Sequence, residues 1–427
     1  MNVYHPTHTP SPAPVVSGTL PHRCEVLIVG AGPAGSSCAT VLAQAGVDVL
    51  LVDQQSFPRV KVCGDGLVPD THLALQRLGV LEAVLAQAHP VRAVRCVSQR
   101  AGTLEVPGQL AVLPRERLDQ ILLDHAVAHG AGFHAPWKLE DLIEDPSGRA
   151  IGARVSQAGQ VREVLADRVV LATGARIPAM LKAGLVTQRR PSAVALRAYL
   201  RCADAPGLPT DSLDFVWHAR LRPGYGWVFP CGKGLYNVGV GVFDRHRDGD
   251  GGRDAEGSAS SGNLRQLLDA FGRCYAPAGH LLKHGEMLEL RGAPLRCTLT
   301  GAQSGRPGVM ATGEAIGSTY DFTGEGIGKA METGILAAEA ILRGREHGSS
   351  EADVRIDYAA QLAELRPRFE LYARANAVNR HPWLADLVVW RARRSAHLRR
   401  RMSDMLEERF NPGHLFTARG FWKLLTR

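Results

Sequence analysis

Residues 24–53, CEVLIVGAGPAGSSCATVLAQAGVDVLLVD, restrict the fold more than any other stretch of the chain. Val26, Leu27, Ile28 and Val29 form a short apolar run. Gly30, Gly32 and Gly35 then supply G-x-G-x-x-G. A small-residue segment opening on Pro33 and Ala34 follows at helical length, and a second apolar run ends on Asp53, 23 residues after Gly30. Strand, glycine turn, helix and strand make a parallel βαβ unit of the dinucleotide-binding kind. Gly30 permits the tight turn, Gly32 lets a phosphate approach the backbone, and Gly35 lets the helix sit close to the strand. The helix N-terminus offers free N–H groups and a positive dipole end to a pyrophosphate. Asp53 is placed to accept hydrogen bonds from ribose hydroxyls. This signal alone leaves FAD and NAD equally open.

The rest of the chain narrows the class. It has 427 residues and is 45% hydrophobic, enough for more than one domain. Residues 1–21, rich in Pro, Ser and Thr, lack a basic start and apolar core, so they are expected to be a disordered leader rather than a signal peptide. No run of eighteen apolar residues occurs, so no spanning helix is predicted and a cytoplasmic address is expected. The eight cysteines form no C-x-x-C pair and the sixteen histidines no H-E-x-x-H, which argues against a disulfide framework and a metal site. The net charge is +8, and residues 381–427 hold ten Lys/Arg against four Asp/Glu. Charge confined to one end is not the pattern of a nucleic-acid binder.

A second glycine-rich signal lies about 280 residues downstream of the first. In residues 308–342 a short apolar run leads to Gly313 and Glu314. Gly324, Glu325, Gly326 and Ile327 then open a long small-residue helix. Two such turns cannot serve one βαβ unit, but they can grip one extended cofactor from two sides, which favours FAD. This segment resembles the second FAD-binding motif of the geranylgeranyl reductase family, within the p-hydroxybenzoate hydroxylase-like flavoproteins. Glu314 stands where that family usually has Asp. The resemblance implies that the helix N-terminus points at the flavin ring. It also implies that Arg115, in an R-x-x-L-D pattern with Leu118 and Asp119, contacts the flavin nucleotide, and that Gly174 belongs to the strand-to-turn segment rejoining the domain.

The same family has a loop reading R-x-K-x-C-G-G/D after the first acid, and FPRVKVCGDGL at residues 57–67 matches it at Arg59, Lys61, Cys63 and Gly64. The resemblance implies that this loop faces the flavin, with Cys63 near the ring on the substrate side. Nearby cations are expected to favour the Cys63 thiolate; as a thiol it could protonate a bound alkene. Gly64 and Gly66 are expected to let the backbone approach the isoalloxazine.

From residue 193 to 290 the pattern turns to strands rich in β-branched and aromatic residues. In RPGYGWVFPCG, Tyr225, Trp227 and Phe229 alternate and so share one face. They resemble the family's aromatic strand and make a wall suited to an apolar substrate, with Tyr225 a second candidate proton source. Residues 244–262 read as a mobile polar excursion. The basic tail reads as two helices breaking near NRHPW. It either caps the substrate region or docks on an anionic membrane surface, with Phe416, Phe421 and Trp422 at its end.

The expected fold is α/β: a Rossmann-like FAD-binding domain (22–190 and 295–345) interrupted by an antiparallel β-sheet substrate domain (191–294), with a helical C-terminal region (346–427). The resemblance implies an FAD-dependent reductase of isoprenoid or similar apolar double bonds, peripheral to the inner membrane face if the tail docks. NAD(P)H or another donor would bind transiently, since no second Rossmann unit is visible. An FAD-dependent monooxygenase is the alternative, and a flavin-stabilised binding protein a third reading. The absence of a D-G pair at Thr173–Gly174 favours the reductase, and the halogenase W-x-W-x-I-P pattern is missing.

Overall fold

A computed structural model describes residues 19–203, 206–243 and 261–407. The predicted βαβ unit is present as strand Arg23–Val29, helix Pro33–Gln44 and strand Val49–Val52. The two strands pair in parallel, and Gln160–Leu171 pairs in parallel on the other side of the first. Val309–Ala311 joins beyond it and Gly132–His134 joins beyond Val49–Val52. Leu27, Ile28, Leu51 and Val52 are wholly or almost wholly buried, as expected for parallel strands covered on both faces.

The two glycine-rich signals meet through close packing. A Cβ on Gly334, in helix Ile327–His347, would lie 2.2 Å from the Ala34 carbonyl oxygen. One on Gly313 would lie 2.6 Å from the Ala34 Cβ. Small residues at these positions let the second helix lie against the first, so both turns open on the same side.

The second sheet runs, by strand, Glu286–Leu295, Ala193–Arg201, Leu235–Val242, Gly224–Gly232, Ser212–Trp217, His89–Ser98, Gly102–Val112 and Gly66–Leu67. It departs from the sequence reading in two ways. The last three strands come from residues assigned above to the cofactor-binding segment 22–190. Also, Ser212–Trp217 pairs with His89–Ser98 in parallel, so the sheet is mixed rather than antiparallel. Strands 89–112 read as part of the first unit only because they sit between its motifs; their pairing partner lies more than a hundred residues away.

The alternation in this sheet is strict where it matters. Val238 and Val240 are fully buried on the face covered by helices Ser261–Cys274 and Ala276–His284, which the sequence reading did not anticipate. Gly226 accommodates Phe271 from the first of these helices, since a Cβ there would meet its ring at 2.5 Å. Gly239 and Gly241 face the other way. A Cβ at Gly239 would fall 2.2 Å from Trp227 Cζ2, and one at Gly241 2.8 Å from Phe243. The V-G-V-G-V pattern therefore packs valines into the core and leaves room for aromatic rings opposite.

The tail folds as helices Glu351–Ala375, Pro382–Arg394 and Ala396–Leu406, with an extra break at Ser395. Among the described residues no helix is long and apolar enough to cross a membrane. Residues 1–18, residues 244–260 of the excursion read over 244–262, and Phe416, Phe421 and Trp422 lie outside the described residues, while 261–262 begin helix Ser261–Cys274.

Candidate active site

The first glycine turn is built by the protein's own packing at two positions and left open at the third. Gly30 has φ +107°, and a Cβ on it would meet the Ala172 carbonyl oxygen at 2.3 Å. One on Gly35 would sit 1.8 Å from the Gly30 oxygen. Gly32 is different: its backbone is ordinary, and a Cβ would meet only Arg59 Nη2 at 3.2 Å and Arg115 Nη2 at 3.9 Å. The demand for glycine at 32 must therefore come from something that lies between the turn and these two guanidinium groups. Asp53 is 7% exposed and braces the turn, accepting the Ala31 N–H at 2.9 Å and the Gln55 N–H at 2.9 Å. Both oxygens keep lone pairs for a ligand hydroxyl.

Arg59 and Arg115 converge on one acid. Arg115 donates from Nε and Nη2 to the two oxygens of Asp119 at 2.7 and 2.8 Å, and Arg59 Nη2 lies 3.2 Å from the same carboxylate. Asp119 is fully buried. Arg59 Nε also lies 3.7 Å from Asp53, so the two guanidinium groups are held between two carboxylates with their Nη2 atoms facing Gly32, where they can donate to a pyrophosphate. Lys61 Nζ stands 3.6 Å from Glu314. That carboxylate in turn lies beside Gly174, so the loop, the second turn and the rejoining strand close around one space.

Gly324, Glu325, Gly326 and Ile327 border the same space. Glu325 accepts the Gly328 N–H at 2.9 Å and the Thr71 hydroxyl at 3.4 Å, so its side chain, one residue before the N-cap Gly326, satisfies a free N–H in the first turn of helix Ile327–His347. Pro33 and Ala34 border it from the first helix.

The aromatic wall forms with the shared face that its alternation predicted. Tyr225 and Trp227 have ring centroids 6.2 Å apart, and Trp227 and Phe229 6.4 Å. The Trp227 indole donates to Asn237 Oδ1 at 2.8 Å, and the Tyr225 hydroxyl donates to the Thr323 carbonyl. Phe215 and Phe243 extend the wall through ring contacts with Tyr225 at 5.4 Å each. Sequence reading passed over these two rings, although strand periodicity places both on the cavity face. A Cβ on Gly64 would touch Phe229 at 3.1 Å. The room that Gly64 leaves is thus taken by the aromatic wall: the Cys63 loop lies directly on the substrate sheet.

Gly30, Gly32, Asp53, Arg59, Lys61, Cys63, Arg115, Gly174, Glu314, the Gly324–Ile327 turn and the aromatic rings line one continuous cavity of about 950 Å³, while Gly35 and Gly313 pack behind it. It runs from the Gly30 turn past Cys63 and Trp227 to the tail, where Leu384, Val388, Leu398, Met402 and Leu406 close it. These apolar side chains of the tail therefore face inward. Asn379 holds the tail in place, accepting from Trp217 Nε1 at 2.8 Å and donating to the Phe322 carbonyl at 3.0 Å.

The FAD binding domain family matches residues 23–251. The chain belongs to this FAD-binding flavoprotein family. It is 32% identical to a menaquinone reductase of Mycolicibacterium smegmatis, over 75% of this chain and 77% of that one. It is 28% identical to a digeranylgeranylglycerophospholipid reductase of Methanoculleus marisnigri, over 80% and 82%. Among solved structures, a geranylgeranyl bacteriochlorophyll reductase-like protein of Thermoplasma acidophilum superposes with a TM-score of 0.70, at 23% identity, covering 95% and 96% of the two chains. At that identity the likeness establishes the fold.

The flavoprotein's residues fit FAD. The open face of Gly32, the arginine pair behind it and the Asp53 carboxylate suit the adenosine diphosphate half. The second turn, through Glu314, and the helix end at Gly326 border the space beyond, while Gly313 packs against Ala34. One expectation fails. Burial pushes the Cys63 thiol up from its ordinary value, and the neighbouring Asp65 adds to this, outweighing Arg115 and Lys61. Cys63 is therefore a thiol at neutral pH, not a thiolate, because loss of solvation costs more than two nearby cations return. Burial likewise pushes the Tyr225 hydroxyl up, and its proton is committed to Thr323. Among the described residues no group of three or more His, Cys, Asp or Glu could hold a metal ion. All eight cysteines are free.

Proposed function

We propose that this flavoprotein reduces carbon–carbon double bonds in a polyprenyl chain. The observation that carries the reading is the single cavity in which the cofactor cradle passes without a barrier into an aromatic and aliphatic wall. Menaquinones and digeranylgeranylglycerophospholipids, which name the relatives, have different head groups but share polyprenyl alkenes. Bound FAD, once reduced, supplies the hydride. Trp227, Phe229 and Phe215 hold the chain by apolar contact and exclude water. The Cys63 thiol holds the proton for the second alkene carbon, since the Tyr225 hydroxyl is engaged elsewhere. NAD(P)H or another donor would reduce the flavin transiently.

Membrane-resident substrates must reach the cavity from a lipid surface. Trp383 and Trp390, 58% and 44% exposed, lie seven residues apart on the outer side of the helix whose inner side closes the cavity. Arg393, Arg394, Arg399 and Arg400 are exposed near them. Aromatic rings beside cations suit the interface of an anionic bilayer, so we place peripheral docking here.

The test is anaerobic incubation of chemically reduced enzyme with menaquinone or geranylgeranyl lipid in vesicles, followed by mass analysis. A gain of one or more hydrogen pairs supports the reading. Product that forms only with O₂ and carries one of its oxygen atoms would establish a monooxygenase instead.

A further inference from the structure

The loop that carries Cys63 ends its motif on an acid, at the position where the family pattern takes Gly or Asp, and the proposed reaction gives that acid no role. Asp65 is fully buried and has φ +65°, a region disfavoured for residues with a Cβ. It stands between two glycines, either of which would adopt this conformation more readily, so the side chain must serve a purpose there. Its carboxylate is the meeting point of three elements. Oδ1 accepts the Arg115 N–H at 3.3 Å, at the start of the helix bearing the arginine–Asp119 pair. Oδ2 accepts Asn237 Nδ2 at 2.7 Å and the Tyr199 hydroxyl, both from the substrate sheet.

Asn237 spreads this anchorage. Its Nδ2 also donates to the Cys63 carbonyl at 2.8 Å, while its Oδ1 accepts the Trp227 indole N–H at 2.8 Å. One amide thus ties the backbone of Cys63, the carboxylate of Asp65 and the ring of Trp227 together. Behind them the fully buried Arg197 lies over the Tyr199 ring at 3.8 Å and pairs with Glu289. We infer that Asp65 is a positioning residue: it anchors the cofactor loop to the substrate sheet and so fixes Cys63 and Trp227 relative to each other.

The charges around this node decide the test. Cys63 faces Lys61, Asp65 and Arg115. Asp65 faces Arg197, Tyr199, Asn237 and Arg115, and Tyr199 faces Arg197 and Cys231. Burial pushes the Asp65 carboxyl up against the pull of Arg197, Tyr199, Asn237 and Arg115, and in its charged form it holds the Cys63 proton on, beyond the effect of burial. Replacing it by the isosteric amide keeps the volume, removes the charge and weakens the anchor.

The inference rests on the proposed alkene reduction only for its activity readout; the thiol readout stands without it. The experiment uses the flavin-loaded full chain and its Asp65→Asn and Tyr199→Phe variants. Flavin content per chain, turnover on a geranylgeranyl lipid, and the pH profile of iodoacetamide alkylation at Cys63, resolved by peptide mass, are measured together. Asp65→Asn is expected to keep its flavin, to lose turnover about 10-fold or more, and to shift the Cys63 alkylation midpoint down by roughly one unit. Tyr199→Phe removes one anchoring donor and leaves the charge. It is expected to lower turnover several-fold with a smaller midpoint shift, and it carries the test if the first variant does not fold. An unchanged Cys63 profile with unchanged turnover overturns the inference, as does complete loss of flavin from Asp65→Asn, which would make the residue part of cofactor binding. A shifted profile in a protein that reduces no alkene supports the positioning role and overturns the reaction proposed above.

Discussion

Arg115 grips Asp119 through two parallel hydrogen bonds, at 2.7 and 2.8 Å, within one turn of the same helix. The pair is buried, and Arg59 joins it from the loop at 3.2 Å. Sequence resemblance singled out Arg115 as a nucleotide contact, but the structure gives two of its donors to Asp119 first. The acid neutralises one charge and aims both guanidinium groups at the glycine turn.

Asp119→Ala should therefore damage folding as well as flavin binding. Arg115 would lose its carboxylate and Arg59 would keep only Asp53, at 3.7 Å, and breaking a buried ion pair costs about 3–5 kcal/mol. Urea denaturation should show a loss of that order, with flavin content falling in parallel. A stability change within about 0.5 kcal/mol would mean that solvent replaces the carboxylate.

Gly32 and Gly35 should separate into a ligand position and a packing position. Gly32→Val meets only the ends of two flexible arginines, so the flavin-free protein should keep its melting temperature and lose its yellow colour. Gly35→Val drives a side chain into the Gly30 carbonyl and should destabilise the fold with or without flavin. Equal thermal behaviour of the two variants after flavin removal would contradict this division.

Cys63→Ala should retain flavin and lose turnover about 100-fold, the usual scale for a lost general acid. In the parent enzyme the pH profile carries the sign. Burial raises the thiol above its ordinary value, so the proton is in place through neutral pH and is lost only as pH rises through that raised value. Activity should thus hold at neutral pH and fall on the alkaline side. An activity that rises over the same range would assign the thiolate, not the thiol, to the reaction.

Trp383→Ser with Trp390→Ser should weaken sedimentation with anionic vesicles and leave flavin content and turnover on a detergent-dispersed substrate unchanged. Raising salt should weaken binding of the parent protein through its exposed arginines. Vesicle binding that is absent in the parent, or unaffected by both changes, would remove the docking face.

The cofactor half of this protein was legible in the sequence because its requirements are local. A tight turn, a close helix and a terminal acid leave Gly30, Gly35 and Asp53 at fixed spacings, and the alternation of Tyr225, Trp227 and Phe229 sets their shared face without any partner. What sequence could not reveal depends on distant partners. Strands at residues 89–112 lie within the cofactor segment, yet they complete the substrate sheet, because Ser212–Trp217 pairs with them. The tail read as either a cap or a docking element, and only the fold shows Leu384, Val388, Leu398, Met402 and Leu406 lining the cavity, because burial there depends on the sheet they cover. The thiolate expected at Cys63 became a thiol because burial is a property of the whole packing, whereas the neighbouring cations that suggested the opposite were visible two and four residues away. Asp65 carries the same lesson: its residue type is plain in the loop, but its partners Tyr199 and Asn237 lie 134 and 172 residues away, and only the folded chain brings them to one carboxylate.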